Sequence, residues 1–156
     1  MPTSNLIAKL RRASAARQNS RCFYCGYLMW ETDQSVFAAR FALTLRAATR
    51  FQCTAEHLVA RQDGGGDTEG NIAAACRFCN TTRHKSAKPR SAPAYRIYVQ
   101  GRLKAHKWHP QKTQALAPPA ETSGLRKVIQ QGHPQIAPVT FAGSMRNSRP
   151  PILGIR

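Results

Sequence analysis

The chain has 156 residues, room for one ordinary domain with flanking segments and too little for a second full domain of about 100–150 residues. Lys and Arg outnumber Asp and Glu by 24 to 7, a formal charge of +17 that favours a polyanionic partner through counterion release, with nucleic acid the first candidate. No run of about 18 apolar residues exists, so no membrane-spanning helix is expected.

Residues 1–21 set Lys9, Arg11, Arg12 and Arg17 among Leu6, Ile7 and Leu10, without the apolar stretch of a secretory signal. They read as a basic N-terminal arm lying on nucleic acid, with an amphipathic, transit-like helix as the alternative. Six of the seven acidic residues then fall between Glu31 and Glu69, so the centre differs chemically from its flanks. Residues 22–88 hold all five cysteines and are expected to be the folded domain. Within them Phe23-Tyr24-Cys25-Gly26 reads as a knuckle turn, and residues 35–50 as one or two short helices capped by Ser35 and Thr44. A strand is expected over Phe51–Glu56, a loop over Arg61–Gly70, a second strand over Ile72–Ala75 and a helix from about Asn80 to Lys88. Residues 89–109 read as a basic helical extension, with Ser91 as its cap, Pro93 in its first turn, and Arg96, Arg102, Lys104 and Lys107 interspersed among apolar positions. Residues 110–156 are rich in proline, carry no sustained apolar period, and are expected to be a disordered basic tail.

Cys22-x-x-Cys25 and Cys76-x-x-Cys79 are two knuckles that can each offer two thiolates to one tetrahedral zinc. Fifty residues separate Cys25 from Cys76, against about 15–20 in a simple zinc ribbon, so the working residues can sit inside the clip. Disulfides would need an oxidising compartment, and a four-thiolate site leaves no open position for water, so a structural Zn²⁺ in a reducing, cytoplasmic setting is the expectation. Such a site can contribute binding energy on the order of 10 kcal/mol to a fold with a small core. Cys53 is left over and reads as a small apolar residue in a strand.

Inside the clip run Glu56-His57, the glycines Gly64-Gly65-Gly66, Asn71 before an apolar segment, and Cys76-x-x-Cys79-Asn80-x-x-Arg83-His84. In this order, over residues 22–85, the chain resembles the HNH endonucleases, the ββα-metal nucleases. The resemblance implies an α+β fold: a small zinc-stapled ββα-metal domain with a helical insert, a basic helix after it and the tail. It implies hydrolysis of DNA phosphodiester bonds by a one-metal mechanism, with DNA as partner ahead of RNA. His57 would be the general base, since an imidazole accepts a proton near neutrality. Glu56 and Asn80 would hold a catalytic Mg²⁺ or Mn²⁺, a hard cation that takes oxygen ligands, and His84 could serve as a further ligand. Glu56 stands where the family more often has Asp. Asn71 would hold the long loop so that the imidazole keeps its orientation, and Arg83 would meet the scissile phosphate or its neighbour. Adjacent strand residues point to opposite faces, so Glu56 and His57 converge only if the strand ends or bulges there. A non-catalytic zinc-stabilised module binding nucleic acid is the alternative, and a zinc-stabilised protein-interaction domain is the rival from another class.

Overall fold

The computed structural model describes residues 4–119. A two-stranded antiparallel sheet lies at the centre, β1 (Cys53–His57) against β2 (Ile72–Cys76), in the regular register Cys53↔Cys76 to His57↔Ile72. β2 is buried along its whole length, and its alanines at 73, 74 and 75 leave room for a helix to lie close. That helix is α1 (Ser4–Arg17), which packs on both strands. Buried Ser14 donates to the Ile72 carbonyl at 2.5 Å. Just past the helix, the Gln18 amide donates to the Ala74 carbonyl and accepts from the Ala74 N–H. The outer edge of β2 is thereby closed by a side chain in place of a third strand. The segment expected to be an arm is therefore a docked helix: its small residues Ser14 and Ala15 are buried, Arg11 lies half-buried on the same face, and Lys9, Arg12 and Arg17 are exposed.

The chain next forms the knuckle, where Gly26 at φ +75° lets its N–H return to the Cys22 carbonyl at 2.9 Å. α2 (Gln34–Arg40) and α3 (Leu45–Ala48) follow, the two short helices expected over 35–50. Thr44 caps α3 as anticipated, but Asp33 caps α2 in place of Ser35, accepting from the N–H groups of Ser35 and Val36. A 3₁₀ turn over Thr49–Phe51 delays the start of β1 to Cys53, and the strand runs one residue beyond Glu56. β2 passes directly into α4 (Arg77–Arg83). The helix expected at 80–88 thus starts and ends earlier, because Cys76 takes the cap position and accepts from the Cys79 N–H.

α5 (Ala92–Lys104) occupies the place foreseen for the basic extension, with Ser91 at the cap and Pro93 in the first turn. Its buried Tyr95 donates to the Cys79 carbonyl and its Gln100 amide to the Tyr24 carbonyl, which ties the helix to both knuckles. Beyond it, the first residues assigned to the tail are ordered. Trp108, His109, Thr113 and Leu116 are buried, the last two within a 3₁₀ helix over Gln111–Leu116. His109 lies among the rings of Tyr27, Phe51, Phe78 and Trp108, where burial and then the nearby Arg50 push its imidazole down to about 4. The remainder of the expected tail, residues 120–156, lies outside the described residues. Among those described, no helix is long and apolar enough to cross a membrane.

Leu116 is wholly buried, and its carbonyl accepts from the Leu28 N–H at 2.9 Å and from Arg21 at 3.3 Å. Leu116→Ala should therefore destabilise the protein by about 2–5 kcal/mol, as core leucine truncations do. Urea unfolding measures this, and a change below about 0.5 kcal/mol, typical of a surface substitution, would place Leu116 outside the core.

Candidate active site and metal centre

The four knuckle sulfurs meet because β2 runs without a break into α4, carrying Cys76 and Cys79 to the turn that holds Cys22 and Cys25. All four Sγ atoms lie within 4.8 Å of one another, and Cys25 and Cys76 are 3.9 Å apart. Zinc–sulfur bonds of about 2.3 Å put tetrahedral sulfurs about 3.8 Å apart, so the cluster could hold a zinc ion. Donors already point at the sulfurs: the Cys76 N–H at Cys22, the Cys79 N–H at Cys76 and the Trp108 indole N–H at Cys79. Burial pushes the Cys25 and Cys79 thiols well up. Burial acts the same way on Cys22, but hydrogen bonds from Cys25, Cys76 and Cys79 outweigh it and hold Cys22 well below the ordinary thiol range. Four thiolates this close repel one another, and a divalent cation is what would allow them to coexist. Cys53 stands apart, buried, its thiol pushed up to about 12 by burial and then by Glu31, consistent with the unreactive strand residue expected.

A second buried centre joins β1 to α4. Glu56, 1% exposed, faces Tyr24, Arg83 and His84. Its Oε1 accepts from the Tyr24 hydroxyl at 2.8 Å and from Arg83, and lies 3.2 Å from His84 Nε2. Burial, and after it the Glu56 carboxylate, push the Tyr24 phenol far up and keep it a donor. Oε2 is buried without a hydrogen-bond partner. Arg83 spends its remaining donors on the carbonyls of His57, Leu58 and Arg90. This guanidinium is 5% exposed, and it bridges the end of β1 to the start of α5.

His57 ends β1 with no bulge, so its side chain leaves on the face opposite Glu56. The two do not converge. The imidazole meets Asp67 instead, Nε2 to Oδ1 at 2.8 Å, both side chains mostly shielded at 19% and 13% exposure. Arg61 binds the same carboxylate through both oxygens, at 2.9 and 3.0 Å. The hydrogen bond from His57, reinforced by Arg61, holds the Asp67 carboxyl below the usual carboxylate range against the upward effect of burial. The loop that presents Asp67 is pinned by Asn71, whose Oδ1 accepts from the Val59 N–H and whose Nδ2 donates to the carbonyls of Val59 and Gly66. Gly65 packs so tightly there that a Cβ would stand 1.8 Å from the Val59 carbonyl oxygen.

Residues 46–86 match the family model described as HNH endonuclease. Over that stretch the chain is similar to an HNH endonuclease domain. The match takes in Glu56, His57, Asn71, the second cysteine pair, Asn80, Arg83 and His84, and begins after the first knuckle. Members of this family are in general nucleases. No curated protein and no solved structure shows a significant match to the chain.

In and around the matched stretch the expected residues separate into groups. The four cysteines converge, and Glu56, Arg83 and His84 converge. Asn80 binds the strand: its Nδ2 donates to Thr54 Oγ1 and to the Ala55 carbonyl, both at 3.0 Å. Among the described residues no hydrogen bond joins Asn80 to His57 or to Glu56. α4 ends at Arg83, so His84 sits at its C-cap and the helix does not continue to Lys88 as expected. Arg83 is engaged by protein at every nitrogen, in contrast to the free phosphate-facing group anticipated from its position. Asp67 and Tyr24 join these groups without having been expected as site residues, Tyr24 having been read only as part of the knuckle turn. The available signal for Asp67 was an acid at the edge of the glycine run, ten residues after His57, in a segment legible only as turn chemistry.

Two outcomes are expected. Cys76→Ser should lower bound zinc, measured by elemental analysis, together with the melting temperature; an unchanged metal content would dissolve the proposed clip. Arg83→Ala leaves the buried Glu56 charge unpaired and should cost about 3–5 kcal/mol in chemical denaturation. A stable Arg83→Ala protein whose only defect is in nucleic-acid binding would assign Arg83 to the ligand surface instead.

Proposed function

We propose that the protein is a DNA endonuclease in which His57 acts as general base on water. The observation that supports this best is a partly shielded imidazole, oriented by a carboxylate, at the strand end of an HNH domain. A proton acceptor in that position needs a stable orientation, and Asn71 contributes by fixing the loop behind it. From Leu58, the next residue, a groove of about 460 Å³ runs along the loop, bordered by Arg61, His84 and Arg90 and by one acid, Asp63, in a protein with a large cationic surplus. A phosphodiester backbone is the polyanion such a groove suits, with the cations outside the site, Arg11, Arg12, Arg96, Arg102, Lys104 and Lys107, as further phosphate contacts.

A divalent ion, Mg²⁺ or Mn²⁺, would lie at the junction of β1 and α4, held by Glu56 through its partnerless buried oxygen, by His84 and by the side-chain oxygen of Asn80. When bound, it supplies positive charge for the phosphorane and the departing 3′-oxygen. The residues of the chain do the rest: His57 removes a proton from water, and the groove holds the strand in place.

The Arg83 guanidinium on Glu56 favours a second reading, in which the carboxylate is purely structural and the domain binds nucleic acid without cutting it. Relaxation of supercoiled plasmid separates the two. With Mg²⁺ or Mn²⁺ the wild type should nick, and His57→Ala should lose about 10²–10⁴-fold in rate while keeping its zinc and its melting temperature. A protein that retards plasmid on a gel and never nicks it is the binding module, and full activity in His57→Ala would remove the general-base role.

A further inference from the structure

We propose that Asp67 is the positioning residue of His57, fixing the imidazole so that Nδ1, and not Nε2, is the atom that receives the proton. This rests on the nuclease reading for its kinetic consequence and on geometry alone for its chemistry. Asp67 Oδ1 stands 2.8 Å from His57 Nε2, and an ionised carboxylate can only accept, so Nε2 carries the hydrogen. Arg61 Nε lies 3.2 Å from both Nε2 and Oδ1. With Nε2 already a donor, that N–H goes to Oδ1, and the second guanidinium nitrogen completes the fork on Oδ1 and Oδ2. Asp67 is thus an anion clamped between an arginine and the imidazole it orients. The lone pair remains on Nδ1, for which no protein hydrogen bond is found among the described residues.

The domain goes to some length to put Asp67 there. The motif pairs an acid with the histidine by adjacency, but regular strand geometry turns Glu56 to the other face and into the grip of Arg83 and Tyr24. The carboxylate that touches the imidazole comes from the loop instead. Gly65 makes the close approach to Val59 possible, and the Asn71 bond to the Gly66 carbonyl sets the backbone immediately before Asp67. In the reaction, Nδ1 takes a proton from water as the hydroxyl oxygen bonds to phosphorus and the bond from phosphorus to the leaving oxygen breaks. The leaving oxygen then takes a proton from solvent, the imidazolium returns its own to solvent, and the Nε2–H···Oδ1 bond persists throughout. Asp67 itself is never protonated.

The test uses full-length, zinc-loaded protein as wild type, Asp67→Asn, Asp67→Ala and Arg61→Ala, with ¹⁵N-detected imidazole tautomers and nicking kinetics as readouts. In wild type and Arg61→Ala the neutral His57 ring should be the Nε2–H form. In Asp67→Ala the two tautomers should mix, and in Asp67→Asn the side-chain amide should alter their ratio, with bound zinc unchanged in both. kcat should fall about 10- to 100-fold in the two Asp67 variants with KM little altered, and His57→Ala should be made no worse by adding Asp67→Ala. A wild-type ring in the Nδ1–H form, or a tautomer ratio indifferent to Asp67, overturns the proposal. Should the wild type cleave nothing while the tautomer responds as stated, the nuclease reading fails and the Asp67 contact stands.

Discussion

Four sulfurs drawn within 4.8 Å of one another set the frame for everything else in this molecule. The sheet has only two strands, too few for independent stability, and its core is built largely from alanine and cysteine. Such a core buries little apolar area per residue, so holding the first knuckle against the β2–α4 junction falls to the thiolates and whatever cation they bind. Once those points are joined, α1 can close the sheet edge through Gln18, and α5 can reach both knuckles through Tyr95 and Gln100. The elements outside the HNH match are therefore part of the same packing.

That frame divides the acidic residues between two tasks. Glu56 lies in the interior with a guanidinium, a phenol and an imidazole around one of its oxygens, and such an arrangement is expensive to disturb once made. Asp67 lies near the surface, where a charge can be oriented without the full cost of burial. The separation follows from the pleat of β1, which cannot turn neighbouring side chains to one face while its pairing stays regular. One strand end thus carries a buried ion-pair centre on one side and a partly shielded imidazole–carboxylate pair on the other.

Much of this was legible in the residues. The paired Cys-x-x-Cys spacing announced the cluster of four cysteines, the hydrophobic and turn pattern located both strands to within two residues at either end, and Ser91 with Pro93 marked α5. The order of Glu56-His57, Asn71 and Cys-x-x-Cys-Asn identified the family over the region that the HNH match covers. Contacts made between distant segments were not legible. Nothing local says that Gln18 will imitate a strand, that Arg83 will be consumed by carbonyls, or that Asp67 will find His57 across a glycine loop. Order past residue 110 is hidden for a similar reason. Thr113 and Leu116 are too sparse to show a period, yet both are buried, and the Leu116 carbonyl meets backbone from the far end of the domain.

The bond from Leu28 to the Leu116 carbonyl also bears on how the chain is made. During synthesis the knuckle leaves the ribosome long before its cover, and the four cysteines can meet only once Cys79 has emerged, while the rings that Leu116 and its neighbours cover still face solvent. Between those two moments the protein is a half-built object with its sulfurs engaged and its rings bare, the stage at which a growing chain most invites a chaperone or an unwanted neighbour. The emergence of Leu116 is thus the step that completes this cover.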